Sequence, residues 1–181
     1  MKKVDIIHGG WLKAPNGASS VLRTLAESTS KFEEYGIQLS VYSMDLIVLK
    51  SFENIAAINQ RKGLRYFIKK NANANSILAF ISIYAIYLRH ARKIVKYYFD
   101  QGLEESRILF IHDIFTCYYY LKYRSRRQKT VLVLHNNGDT FNMLRQYYPV
   151  LNKSRLYSIL LYIERKVLSE VDKVLFVAEN P

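Results

Sequence analysis

The sequence predicts an α/β fold, a doubly wound and mostly parallel sheet flanked by helices. Three observations predict it. Short apolar runs of strand type alternate with longer segments of helical period. Each of the clearest runs ends in a polar or glycine-bearing turn. Strands alternating with helices argue for parallel strands joined by right-handed crossovers, and the sequence shows no internal repeat.

The first unit sets the pattern. Val4 to Ile7 is a strand-like run, His8 to Gly17 is a loop with three glycines and a proline, and Ala18 to Tyr35 reads as a helix. Val21, Leu22, Leu25, Ala26 and Phe32 carry its apolar period, and Gly36 stands where a left-handed C-cap belongs. In an open α/β sheet the N-terminus of such a helix turns free N–H groups toward the crevice beyond the strands, which suits phosphate or carboxylate.

Gln38 to Tyr42 alternates as a half-buried strand, and Leu46 to Leu49 has the composition of another short one. Asn71 to Asn75 reads as a loop. Ser76 is placed to cap a long helix to about Gln101, in which Ile77, Phe80, Ile81, Tyr84, Leu88, Ala91 and Val95 hold the period and the second half turns basic. Gly102 ends it. Ile108 to Ile111 is a continuous apolar run of the kind covered on both faces, closed by His112 and Asp113. A helix from Ile114 to about Tyr123 follows, then a strand Val131 to Leu134 that ends at His135, Asn136 and Asn137. Beyond a polar loop, Leu156, Ile159, Leu160, Ile163 and Val167 mark another helix, and Val174 to Val177 reads as a last buried strand.

At 181 residues, half of them apolar or aromatic, the chain can bury one core. The net charge of +12 points to a polyanionic partner: nucleic acid, an anionic membrane face or a phosphorylated substrate. Cys117 is the single cysteine, which excludes an internal disulfide and fits a reducing cytosol; within an apolar helix it reads as core. The N-terminus lacks the apolar core of an export signal, because Asp5 and Gly9-Gly10 interrupt it. The longest apolar run, Ile77 to Leu88, is short of the roughly 20 residues a spanning helix needs.

The basic segment around Arg61, Lys62, Arg65, Lys69 and Lys70 is interleaved with aromatics and has no acid. It has two readings, a solvated amphipathic face or a contact with anionic lipid.

Several chemistries are excluded by spacing. No Lys-Ser or Lys-Thr follows Gly17, the first loop lacks the dinucleotide-binding glycine pattern, and Gly17-Ala18-Ser19-Ser20 lacks the second glycine of a hydrolase elbow. No Cys or His pair has zinc spacing, so no metal is expected. What remains is a glycine loop that suits phosphate and two histidines, His112 and His135, at neighbouring strand ends. His135 has Asn136 and Asn137 beside it, which offer donors and acceptors to sugar hydroxyls and are also ordinary turn residues.

As a set, Pro15 to Val21, Ile108 to Asp113, Val131 to His135, Ile163-Glu164-Arg165 and Val171 to Glu179 resemble the N-terminal domain of GT-B glycosyltransferases, in particular glycosyltransferase family 4. The resemblance covers essentially the whole chain. It implies one Rossmann-like domain over 1–181, half of a two-domain retaining enzyme that moves a sugar from a nucleotide-sugar donor to a glycan or lipid-linked acceptor. It places His135 where the family histidine reaches the transferred sugar. Asn16, Gly17 and Ala18 fall in the family's first glycine loop, with Asn16 replacing the first glycine. His112 and Asp113 match a strand-end pair facing the acceptor.

The family's paired glutamates belong to a C-terminal domain that these 181 residues lack. This piece alone is therefore expected to be inactive, because one wall cannot exclude water or orient a donor. No cofactor is expected beyond the nucleotide-sugar substrate. A cytoplasmic location follows, with peripheral attachment to the inner membrane face as an extension of it. The competing readings are a basic nucleic-acid-binding module, for which no RNA-binding pattern is present, and a non-catalytic sugar- or nucleotide-binding domain.

Overall fold

The computed structural model describes residues 1–15, 17–49, 67–68, 70–102, 107–124, 128–135 and 140–177, and in them five strands form one all-parallel sheet. The strands are β1 (Lys2–Ile7), β2 (Ile37–Tyr42), β3 (Ile108–Ile111), β4 (Thr130–Leu134) and β5 (Lys173–Phe176), in spatial order β2-β1-β3-β4-β5. The order reverses between β1 and β3. Crossovers leave that pair in opposite directions, so a crevice opens beyond its C-terminal ends, where sheets of this kind take ligands. Ile7 is in register with Tyr42 and Ile111, which brings three strands to a common rim.

The helix expected over 18–35 is two, α1 (Gly17–Glu27) and α2 (Thr29–Glu34), because the chain turns at Ser28 with φ −100° and ψ 14°. Gly36 closes the unit at φ +70°, the left-handed position that glycine adopts at no steric cost. The strand expected at Leu46 to Leu49 is instead helix α3 (Met44–Leu49). Asp45 Oδ2 accepts from Leu12 N at 2.7 Å and Ser43 Oγ at 3.0 Å, tying this helix to the β1 loop.

After α3, the described part of the β2 to β3 crossover includes α4 (Ser76–Ile83), one π-helical turn at Tyr84–Leu88 and α5 (Arg89–Asp100). Its cap is Asn75 rather than Ser76: Asn75 Oδ1 accepts from Ile77 N at 2.9 Å and Leu78 N at 3.1 Å. Helix α6 (Ile114–Tyr123) joins β3 to β4. The polar loop expected after β4 contains α7 (Asn142–Tyr147) and a 3-10 turn at Pro149–Lys153, which bury Leu144 and Leu151. Helix α8 (Arg155–Glu170) then leads to β5.

Alternation along the strands builds two layers. Ile7, Leu109, Ile111, Leu132 and Leu134 share one core with Ile94, Val95, Tyr98, Tyr120 and Val167 of α5, α6 and α8. Cys117 lies in that core, and burial pushes its thiol well up. Ile6 and Val133 point to the opposite, thinner layer.

The expectation that the last strand is buried is overturned. It is the sheet edge, and Leu175 and Phe176 are exposed. Several polar side chains are buried as well, and one of them carries a charge. Asp5, fully buried in β1, receives Arg107 Nη1 at 2.6 Å and Tyr98 Oη at 2.8 Å. Among the described residues no helix is long and apolar enough to cross a membrane.

Candidate functional site

A cavity of about 810 Å³ opens at the switch point. His8, Gly9 and Gly10 after β1 form its floor with Asp113 after β3 and His135 after β4. Gly17, Ala18 and Ser19 of the first turn of α1 form one wall. Ile86, Tyr87 and His90 form the opposite one, and Trp11, Met143, Tyr147 and Val177 add apolar surface at the rim.

All four histidines of the chain meet here. His112 does not line the cavity but stands behind His135, its Nδ1 2.8 Å from His135 Nε2. One ring donates and the other accepts, so the contact couples the tautomers of the two imidazoles. It leaves Nδ1 of His135 for a ligand. Burial holds His8, His112 and His135 below their ordinary pKa, and for His112 burial and the neighbouring histidines bring it to about 3. At neutral pH the cluster is therefore uncharged, suited to hydrogen bonding with hydroxyls rather than to pairing with phosphate charge.

Asp113 organises the floor. Its Oδ2 accepts from Gly9 N at 2.9 Å and from Thr116 Oγ1 at 2.6 Å, and its Oδ1 accepts from Thr116 N at 2.7 Å. It caps α6 and holds the β1 loop against that cap. His8 Nδ1 lies 3.9 Å from Asp113 Oδ2, buried and without a hydrogen bond.

The glycine loop is tight at a different place from the one the resemblance marks. A Cβ on Gly9 would collide with Thr116 Oγ1 and come within 3.1 Å of Asp113 Oδ2, and one on Gly10 would meet His8 Nε2 at 2.5 Å. A Cβ on Gly17 would meet nothing within 4 Å. Gly9 and Gly10 are therefore the glycines that the packing requires, while Gly17 opens onto the cavity.

Of the predicted site residues, Gly17, Ala18, Asp113 and His135 line the cavity, and His112 is one hydrogen bond behind it. Asn16, Asn136 and Asn137 lie outside the described residues. The same is true of Arg61, Lys62, Arg65 and Lys69 among the predicted membrane contacts; Lys70 is exposed. The sequence places the strand ends His8 to Gly17, His112-Asp113 and His135 to Asp139 at one edge, but singles out neither His8 nor Trp11 within the first of them, and it misses His90. His8 had a signal, since it follows β1 directly and precedes Gly9-Gly10. His90 had none, because its neighbours Arg89 and Lys93 make it read as part of a basic helix face. Among the described residues no group of three or more His, Cys, Asp or Glu side chains is arranged to hold a metal ion.

Comparison of the chain with family models, curated proteins and solved structures finds no match.

Proposed function

We propose that the chain is the N-terminal, acceptor-side half of a GT-B retaining glycosyltransferase of the family 4 type. In this reading it transfers a sugar from a nucleotide-sugar donor to a glycan or lipid-linked acceptor, in cell-surface polysaccharide synthesis at the cytoplasmic side. The observation that carries the reading is that Gly17 and His135 line one cavity at the switch point, together with three further imidazoles in and behind its wall. A neutral His135 held by His112 offers Nδ1 to a sugar hydroxyl. The open first turn of α1 offers backbone N–H groups to a donor diphosphate. The apolar rim of Trp11, Met143 and Tyr147 suits the flat faces of sugar rings or a lipid stem. Catalysis requires a second wall, so sugar transfer belongs to the two-domain protein.

Trp11, the single tryptophan, reports on the cavity directly. Titration with an alkyl glycoside below its micelle concentration is expected to change its emission saturably, and His135→Ala to weaken that response at least tenfold. A flat titration, or one indifferent to His135→Ala, would remove the support for a sugar site.

A further inference from the structure

The helix that walls the cavity has a second surface. Ile77, Ile81, Tyr84 and Ile86 are all exposed, Ile77 by 62%. In an unbroken α-helix the face through residues 77, 81 and 84 would continue to 88. Leu88 is instead buried, and Arg89 is exposed. The π turn accounts for this: Arg89 N–H bonds back to Tyr84 O, five residues earlier, and the added residue shifts the register by one position. The outward face therefore passes from aliphatic at Ile77 and Ile81 to cationic at Arg89, Arg92, Lys93 and Lys96, all exposed.

Charge is equally one-sided. From Asn54 to Phe99 the sequence contains no aspartate or glutamate, so nothing along the helix offsets these cations until Asp100. Ile86 and Tyr87 within the π turn and His90 just after it line the cavity, and Ile86 is also exposed, so the exposed face is continuous with the cavity mouth.

We propose that this outward face docks on an anionic lipid bilayer. Ile77, Ile81 and Tyr84 enter the headgroup boundary, Arg89, Lys93 and Lys96 meet lipid phosphates, and the cavity mouth is held at the membrane surface. Exposed aliphatics beside a cationic stretch gain from an acyl boundary and gain nothing from a nucleic-acid backbone, which favours the bilayer. A single helix face of this kind gives reversible attachment, which fits the absence of a spanning helix among the described residues. The inference rests on the helix and not on the glycosyl-transfer reading. It adds that the cavity's ligand is presented from the membrane.

The test is co-sedimentation of the chain with phosphatidylcholine vesicles, with and without phosphatidylglycerol, combined with quenching of Trp11 by brominated lipid. Binding is expected only with the anionic lipid, with Trp11 quenched. Lys93→Glu with Lys96→Glu is expected to weaken it at least tenfold, because each near-surface cation contributes about fivefold. Ile77→Ser with Ile81→Ser is expected to weaken it about tenfold and to abolish the quenching. All four positions are exposed, and circular dichroism melts confirm that the variants fold. Binding that ignores both pairs, binding without Trp11 quenching, or retention of an RNA oligonucleotide in preference to the anionic vesicles would overturn the proposal. A failed alkyl glycoside titration would leave it standing.

Discussion

His112 Nδ1 lies 2.8 Å from Nε2 of His135, and this contact joins the ends of two adjacent strands at the floor of the cavity. Neither ring is charged at neutral pH, so the contact is a neutral hydrogen bond whose direction fixes what His135 shows to the cavity. Nitrogen-15 spectra of the histidine side chains are expected to show His135 in one tautomer and still neutral below pH 6.5. In His112→Leu the tautomers of His135 are expected to exchange freely, while the other imidazoles keep their shifts. An unchanged His135 spectrum in that variant would show that the contact does no positioning.

The same histidines make stability pH-dependent in a definite direction. Burial lowers the pKa of His8, His112 and His135 in the folded chain, so below the usual 6.5 the unfolded chain binds more protons. Stability is then full above pH 6.5 and falls as the pH drops toward about 3, where His112 itself takes up a proton. Each proton bound only by the unfolded chain steepens the fall by about 1.4 kcal/mol per pH unit. Urea titrations between pH 7.5 and roughly 4.5 check this. His112→Leu should flatten the slope by up to about one proton.

Gly9 and Gly17 should respond oppositely to a methyl group. At Gly9 the new Cβ collides with Thr116 Oγ1 and crowds Asp113, groups already locked by the α6 cap, so Gly9→Ala should destabilise by about 1–3 kcal/mol. At Gly17 there is open space and no left-handed backbone, so Gly17→Ala should change stability by less than about 1 kcal/mol. Thermal melts of the two variants separate a glycine required by packing from one that only faces the ligand.

The buried Asp5 should be costly to remove. Arg107 and Tyr98 both donate to it, so Asp5→Ala leaves a partly buried guanidinium and a buried hydroxyl without their partner and should cost about 3 kcal/mol. Tyr98→Phe keeps the Asp5–Arg107 pair and should cost about 1 kcal/mol. Denaturant midpoints for the two variants check the ranking.

Much of this was legible in the chain because the signals were local. Strand β3 is a bare apolar run closed by His112-Asp113, β4 one closed by His135, and parallel alternation sends both ends to one rim. The misreadings have equally local causes. Leu46 to Leu49 is apolar and too short for period to distinguish strand from helix, and the helix there is held to the β1 loop by Leu12 N donating to Asp45, a tertiary contact that no local pattern shows. Segment 142–153 turns through short helices that bury only a few residues, a pattern too sparse for periodicity to register. Edge position exposes β5, and strand order is not written in any one strand. The arrival of His90 at the cavity depends on the crossover path and on its place just after the π turn, which no spacing in the sequence encodes.

The central claim is that the switch-point cavity handles a sugar. The most direct measurement is chemical-shift mapping of the labelled chain with an alkyl glycoside, read at the backbone amides and the imidazoles together. The account predicts saturable shifts at His8, Gly10, Gly17 and His135, with the buried Cys117 unmoved. Shifts confined to the surface of β2 or α2, or none at His135 at saturating glycoside, would contradict it.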